Sequence, residues 1–195
     1  MIAFRYTKCD GAEYLSHLDL LRHIYRTLRR AGADIKFSEG FHKHPKIYLN
    51  NPLPIGIKSV AEYGAVDCTV EGEFDHIFNT FSPKGVKCTA YKTVDENPNF
   101  AYAIDSCRYF ARGVKCDEKD FLSRGKVIMT DLKGREIDLR ERVVSVECGD
   151  GGVYFTAKNG TNNLRADLFC SFLSAEYGGK AEEIIKVAAF GNPVF

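Results

Sequence analysis

The side chains of this sequence that could do chemistry crowd toward its beginning. Four of its five histidines, His17, His23, His42 and His44, fall within the first 60 residues. The same segment carries ten Lys and Arg against five Asp and Glu, while the other 135 residues carry 17 against 21. Imidazoles titrate near neutral pH and can move protons. The catalytic candidates are therefore His17 with Asp19, and His42 with His44. Two histidines one residue apart could share a metal only with further ligands, for which His17, Asp19 and Glu39 are the candidates. Nothing local makes these groups converge, and no metal site is assigned. His17 falls at a helix start, among unpaired N–H groups that disfavour imidazolium. It either forms a polar orienting pair with Asp19, or Asp19 merely caps the helix and His17 is half exposed.

The cations have a pattern of their own. Arg22, Arg26, Arg29 and Arg30 lie at i, i+4, i+7 and i+8, one stripe of a helix at 100° per residue. Guanidinium forks suit phosphate and carboxylate. Lys36, Lys43 and Lys46 follow, with Phe37, Phe41 and Tyr48 among them. Cations for phosphates and rings for bases are what single-stranded RNA recognition uses. The competing reading is a solvated helix face. The polyanion-binding candidates are thus Arg22, Arg26, Arg29, Arg30, Lys43 and Lys46.

These residues need elements to hold them. Ser16 is a good N-cap, Asp19 sits at the third helical position, and Leu15 and Leu20 have the spacing of a hydrophobic staple. Leu18, Leu21, Tyr25 and Leu28 are expected to line the buried face, widened by Leu20, Ile24 and Ala31, in a helix over 17–31 that ends at Gly32. Ser38-Glu39-Gly40-Phe41-His42-Lys43-His44-Pro45 has loop chemistry. Strands over 2–7, 46–49, 61–70 and 86–93 and a helix over 74–81 complete a β-α-β-β-α-β order, the ferredoxin-like arrangement. The segment 95–99 looks like a junction. Beyond it a strand (102–112), a short helix (117–122), two hairpins (126–139 and 143–157), a helix over 164–177 with Asn163 as N-cap and a strand over 184–190 repeat that order with an extra hairpin. The expected fold class is α+β: two tandem ferredoxin-like halves, 1–94 and 100–195, with mainly antiparallel sheets, packed together as one unit.

Composition excludes several classes. With 45% hydrophobic and 27% charged residues the chain is not collagenous or disordered. It lacks a run of about 18 apolar residues, so no membrane segment is expected. Its seven cysteines are odd in number, with no Cys-x-x-Cys among them, which suits a reduced, cytoplasmic protein without a zinc or iron–sulfur motif of its own. No dinucleotide, Walker-type or Gly-x-Ser-x-Gly motif is present. Gly149-Asp150-Gly151-Gly152 precedes a strand and reads as a hairpin turn.

One longer pattern remains. Leu15-Ser16-His17-Leu18-Asp19-Leu20, then Leu28-Arg29-Arg30-Ala31-Gly32, Phe37-Ser38-Glu39-Gly40-Phe41, His44-Pro45-Lys46, Pro52-Leu53-Pro54-Ile55-Gly56 and Glu62-Tyr63 together resemble the radical-SAM-linked protein family, a bacterial domain of unknown function. The resemblance is strong over residues 1–70 and collinear to the C-terminus. It marks Ser38, Glu39, Gly40, Phe41, His44 and Pro45 as the motif loop. The chain departs from that family's pattern at His42-Lys43 and at Arg165-Ala166. The resemblance implies a radical SAM partner, encoded nearby or fused in relatives. An iron–sulfur cluster and S-adenosylmethionine are then expected only in that partner, and no cofactor in this chain. The leading expectation is a non-catalytic module that binds RNA or another anionic substrate for the partner. The alternatives are a protein adaptor that docks the partner, and a His-dependent enzyme in its own right. In each case the helix stripe and the proline-closed loop should form one recessed surface.

Overall fold

Alternation along the first strand sets up the first sheet. In β1 (Ile2–Lys8), Ile2, Phe4, Tyr6 and Lys8 are buried while Arg5 and Thr7 are only partly covered. The computed structural model describes residues 1–131 and 133–195. Ser16 caps α1 (His17–Arg30). A ribbon of β2 (Asp34–Ile35) with β5 (Cys68–Thr69) flanks β3 (Ile47–Leu49) and β4 (Lys58–Val66). Then come α2 (Phe74–Phe81), β6 (Cys88–Thr93) and α3 (Phe100–Ala103). β1 pairs antiparallel with β4 (Phe4 opposite Gly64, Tyr6 opposite Glu62) and with β6, and β3 pairs antiparallel with β4. The order within this part is β3–β4–β1–β6. Leu20, Ile24 and Leu28 of α1 and Phe74 and Phe78 of α2 bury themselves with Phe4 and Tyr6.

The chain divides into two compact units, Met1–Ala103 with Asn192–Phe195, and Ile104–Gly191. The division falls later than the 95–99 junction because α3 belongs to the first unit. Phe100 is buried with its ring 5.5 Å from that of Tyr63, and Asn51 donates to the Ala101 carbonyl at 3.0 Å. The tail 192–195 belongs there too, with Phe195 5.8 Å from the Tyr63 ring.

The second unit contains β7 (Ser106–Val114), α4 (Glu118–Ser123), a ribbon of β8 (Ile128–Thr130) with β9 (Glu136–Asp138), α5 (Leu139–Arg142), β10 (Val143–Gly149), β11 (Gly152–Lys158), α6 (Ala166–Tyr177) and β12 (Gly179–Phe190). Its sheet runs β10–β11–β7–β12, every pair antiparallel. Phe169 of α6 packs on Phe155 at 4.9 Å and on Phe121 at 5.5 Å. The helix begins two residues later than expected: Arg165, not Asn163, is its N-cap. β12 begins at Gly179, five residues before the strand expected over 184–190. The fold is thus mixed α+β with mainly antiparallel sheets. Among the described residues no helix is long and apolar enough to cross a membrane.

One turn in the first unit admits only glycine. Gly85 has φ +94°, and a Cβ there would lie 2.0 Å from the Cys9 carbonyl oxygen, while Cys9 N–H donates to the Gly85 carbonyl at 3.0 Å. Gly85→Ala is expected to cost roughly 2–4 kcal/mol from left-handed strain plus the displaced strand. A urea titration should show the lowered midpoint.

Candidate functional site

The N-terminus of α1 is closed by its own sequence. Ser16 Oγ accepts from the Asp19 N–H at 3.2 Å and donates to Asp19 Oδ2 at 2.7 Å. Arg22 donates to Asp19 Oδ1 at 3.1 Å. The Ser16 hydroxyl, then Arg22, hold the Asp19 carboxyl below its ordinary range. Ser16 is therefore the N-cap, Asp19 braces its hydroxyl, and Asp19 makes no hydrogen bond to His17 among the described residues. His17 is half-buried instead, on the inner side of the helix, close enough to feel Glu62 and Lys8. Burial lowers its pKa, Glu62 opposes that, and Lys8 adds to it.

The buried face of α1 comprises Leu20, Ile24, Thr27 and Leu28. Leu18, expected on that face, is 63% exposed. The reason is geometric: Leu20, Ile24, Thr27 and Leu28 define the seam at i, i+4, i+7 and i+8, and Leu18 lies about 160° away from Leu20. The arginine stripe has the same spacing displaced by two residues, so it faces away from the core. All four arginines are exposed. Arg22 is bound to Asp19, and Arg30 donates to the Phe81 carbonyl at 2.9 Å. Arg29 lies over the Tyr25 ring, 6.0 Å from its centroid, and Arg26 has no hydrogen bond or ion pair among the described residues.

The motif loop is a hairpin seated beside this helix. Phe37 bridges to Pro45, Ser38 N–H donates to the His44 carbonyl at 2.8 Å, and His44 N–H donates to Ser38 Oγ at 3.0 Å. Lys46 N–H donates to the Lys36 carbonyl at 2.9 Å, and Lys36 forms a 3.1 Å ion pair with Asp67. Phe37 meets Tyr25 edge to face at 6.3 Å, so Arg29, Tyr25 and Phe37 form a continuous row from helix to loop. Residues 39–44 are all exposed, and Phe41 is 103% exposed with Gly40 at φ +106° before it. Lys43 is exposed and Lys46 half-buried. The helix stripe and loop thus adjoin, but as a projecting surface and not a recessed one. His42 and His44 stand in solvent on the loop, while His17 is half-buried at the helix start. Among the described residues no three His, Cys, Asp or Glu side chains are grouped so as to hold a metal.

Beneath His17 lies a buried polar group that the sequence did not bring together. Lys8 is 1% exposed, and Glu13, Asn50 and Glu62 are also buried. Asn50 donates to Glu62 Oε2 at 3.1 Å and accepts from the Tyr63 N–H at 3.0 Å; Glu13 accepts from the Gly11 N–H at 2.7 Å. Burial lowers the Lys8 pKa, opposed by Glu62 and Glu13. Burial, then Glu62, raises that of Tyr6 well above normal. The available signal was parity: Lys8 shares the strand face of Phe4 and Tyr6, and Glu62 pairs with Tyr6. These buried charges fix the floor under the helix N-terminus.

His23 gives the helix a pH dependence. Its Nε2 is buried without a hydrogen-bond partner among the described residues, and burial, then Arg30 and Arg26, lower its pKa. The unfolded chain therefore binds the proton more readily. Stability is complete above the free-imidazole pKa of about 6.5 and is lost as pH falls through the lowered folded value. His23→Leu should flatten the fall in Tm between about pH 7 and pH 5, by about 2 °C at the acid end. His17, shifted the same way, will leave a residual slope.

Comparison with known proteins bears on the fold and the family. The model of DUF2344, described as an uncharacterized protein conserved in bacteria, matches residues 2–168. Among curated proteins none matches the chain. Among solved structures it is similar to a chain in the crystal structure of a Cbf5–Nop10–Gar1 complex, at 12% identity and a TM-score of 0.52. That likeness covers 96% of this chain and 48% of the other, so this chain spans about half the length of its structural match. At such identity it concerns the fold alone.

Proposed function

The chain belongs to DUF2344, a family of uncharacterized bacterial proteins, and we propose that it serves as a non-catalytic accessory of a radical SAM enzyme, binding RNA or another anionic substrate. The observation that carries this reading is the row Arg29–Tyr25–Phe37. It joins the exposed arginines of α1 to a hairpin presenting Phe41, His42, Lys43 and His44 to solvent. Guanidinium groups would take phosphates and exposed rings would take bases. In this reading His42 and His44 are contact residues, and the iron–sulfur cluster and S-adenosylmethionine belong to the partner. The strand orders β3–β4–β1–β6 and β10–β11–β7–β12 suit two ferredoxin-like halves in tandem. Seven free thiols suit the cytoplasm.

Filter binding with single-stranded RNA tests the reading. Retention is expected at low salt, with log K falling against log salt at a slope of about −2 to −3 for three or four phosphate contacts. No retention at low salt would end it. A second reading, an adaptor for the radical SAM protein, is favoured by Tyr14, Leu18 and Ile55, which are 69%, 63% and 64% exposed. The loop bearing Ile55 is tied beside Tyr14 by a 2.9 Å bond from the Gly56 N–H to the Glu13 carbonyl. Nuclease-resistant co-purification with the enzyme, without RNA retention, would select it.

A further inference from the structure

The second unit holds a cleft of about 360 Å³ that none of the preceding chemistry uses. It lies within the usual size range of small-ligand pockets. Lys133, Arg135, Arg142 and Arg165 line it, with Asn163 and Leu164 at the start of α6. We propose that this cleft binds a phosphate group, either of a small phosphorylated ligand or of a polynucleotide, at a site separate from α1.

The cations differ in what already holds them. Arg135 grips Asp131 through Nε at 3.0 Å and Nη2 at 2.8 Å, and Asp131 also accepts from the Arg135 and Lys133 backbone N–H groups. The Arg135 backbone and side chain pull the Asp131 carboxyl down to about 2, so this pair is ionised and fixed throughout the physiological range. Arg165 is held bidentately by Asp167 at 3.0 and 2.5 Å. The other two have no carboxylate partner among the described residues. Arg142 spends one nitrogen on the Asn163 carbonyl at 2.8 Å, which aims the guanidinium, and its remaining donors have no partner among the described residues. Lys133 has no side-chain hydrogen bond among the described residues. A pre-aimed arginine, a loose lysine and two cations already fixed in place form a cradle for a compact dianion. Glu136 also lines the cleft and opposes an extended acidic ligand.

The start of α6 adds to the same field. Arg165, its N-cap, makes no side-chain capping bond, and the N–H groups of Ala166, Asp167 and Leu168 have no acceptor among the described residues. Ile137, Leu164 and Leu168 add apolar lining beside the cations. That suits a phosphate carried on an organic body.

The test uses the full chain and backbone-amide NMR, with inorganic phosphate added against chloride at constant ionic strength. Saturating shifts are expected at Asn163–Leu168 and around Arg142. Lys133→Ala should weaken the response several-fold. Arg142→Lys, which keeps the charge but loses the fork, should weaken it about tenfold; Lys133→Ala remains informative if the arginine variant disturbs the loop. Shifts that do not saturate, that scatter over surface lysines, or that neither variant changes would overturn the proposal. Uridine monophosphate and a uridine oligonucleotide without a terminal phosphate then separate the sources: response to the first alone marks a small ligand, response to the second marks backbone phosphate. Arg22→Ala/Arg26→Ala/Arg29→Ala should leave the phosphate response intact, so loss of RNA retention and loss of this site are distinguishable.

Discussion

Arg22→Ala/Arg26→Ala/Arg29→Ala is expected to weaken the proposed binding of single-stranded RNA by about 100-fold at low salt, at roughly 1 kcal/mol for each lost charge-assisted contact. The slope of log K against log salt should become shallower by about 2, since each contact on a single strand contributes about 0.7. All three side chains point away from the core, so the variant should keep its Tm within a few degrees. Arg30 is left in place because its bond to the Phe81 carbonyl braces α1 against α2. Phe41→Ala provides the aromatic control: if Phe41 stacks on a base, its loss should cost about 1–3 kcal/mol with the salt slope unchanged. Filter binding across a salt series reads both quantities. An unchanged slope in the triple variant would remove α1 from any polyanion contact.

Phe4→Ala is expected to be the most damaging core change in the first unit, at about 3–5 kcal/mol. Phe4 is fully buried, and its ring lies 5.4 Å from Phe74, 5.7 Å from Phe78 and 5.6 Å from Tyr6. The sheet is built around it. Opposite Phe4 stands Gly64, where a Cβ would lie 2.8 Å from Phe4 Cζ and 2.9 Å from Leu49 Cδ2. Gly64 has no side chain to offer to the void, and Phe74 and Phe78 could enter it only by shifting α2. The loss is a large share of the stability of an ordinary domain. Chemical denaturation followed by near-ultraviolet circular dichroism should report it, with Phe4→Leu falling well short of the alanine effect.

Elements with strong local signals were legible without coordinates. Ser16, Asp19 and the Leu15/Leu20 staple mark the start of α1, and both leucines pack into the first core. The turn at Asp150-Gly151 joins β10 to β11 as expected. Long-range decisions were not legible. Leu18 has a helical spacing to Leu21 and Leu28, and only the position of the sheet shows that the seam runs through Leu20 and Ile24. The short helices α3 and α5 span four residues each, too few for a periodic pattern. At the candidate site the sequence indicated which residues would be exposed together, because the arginine spacing is local. That the loop projects follows from the Phe37–Pro45 bridge, a pairing across eight residues with no pattern of its own. The burial of Lys8 and Glu62 was not legible, because a lone charge in a strand is ordinarily solvated.

The second unit leaves and rejoins the chain at neighbouring points. Asp105 N–H donates to the Phe190 carbonyl at 3.1 Å, and Ser106 pairs with Phe190, so the entry and exit of residues 104–191 lie side by side. In sequence terms it is a cassette clasped at its own mouth. Ser106 and Phe190 stand one strand spacing apart, about 5 Å, and a splice from Ala103 to Asn192 is the direct way to ask whether one half can work without the other.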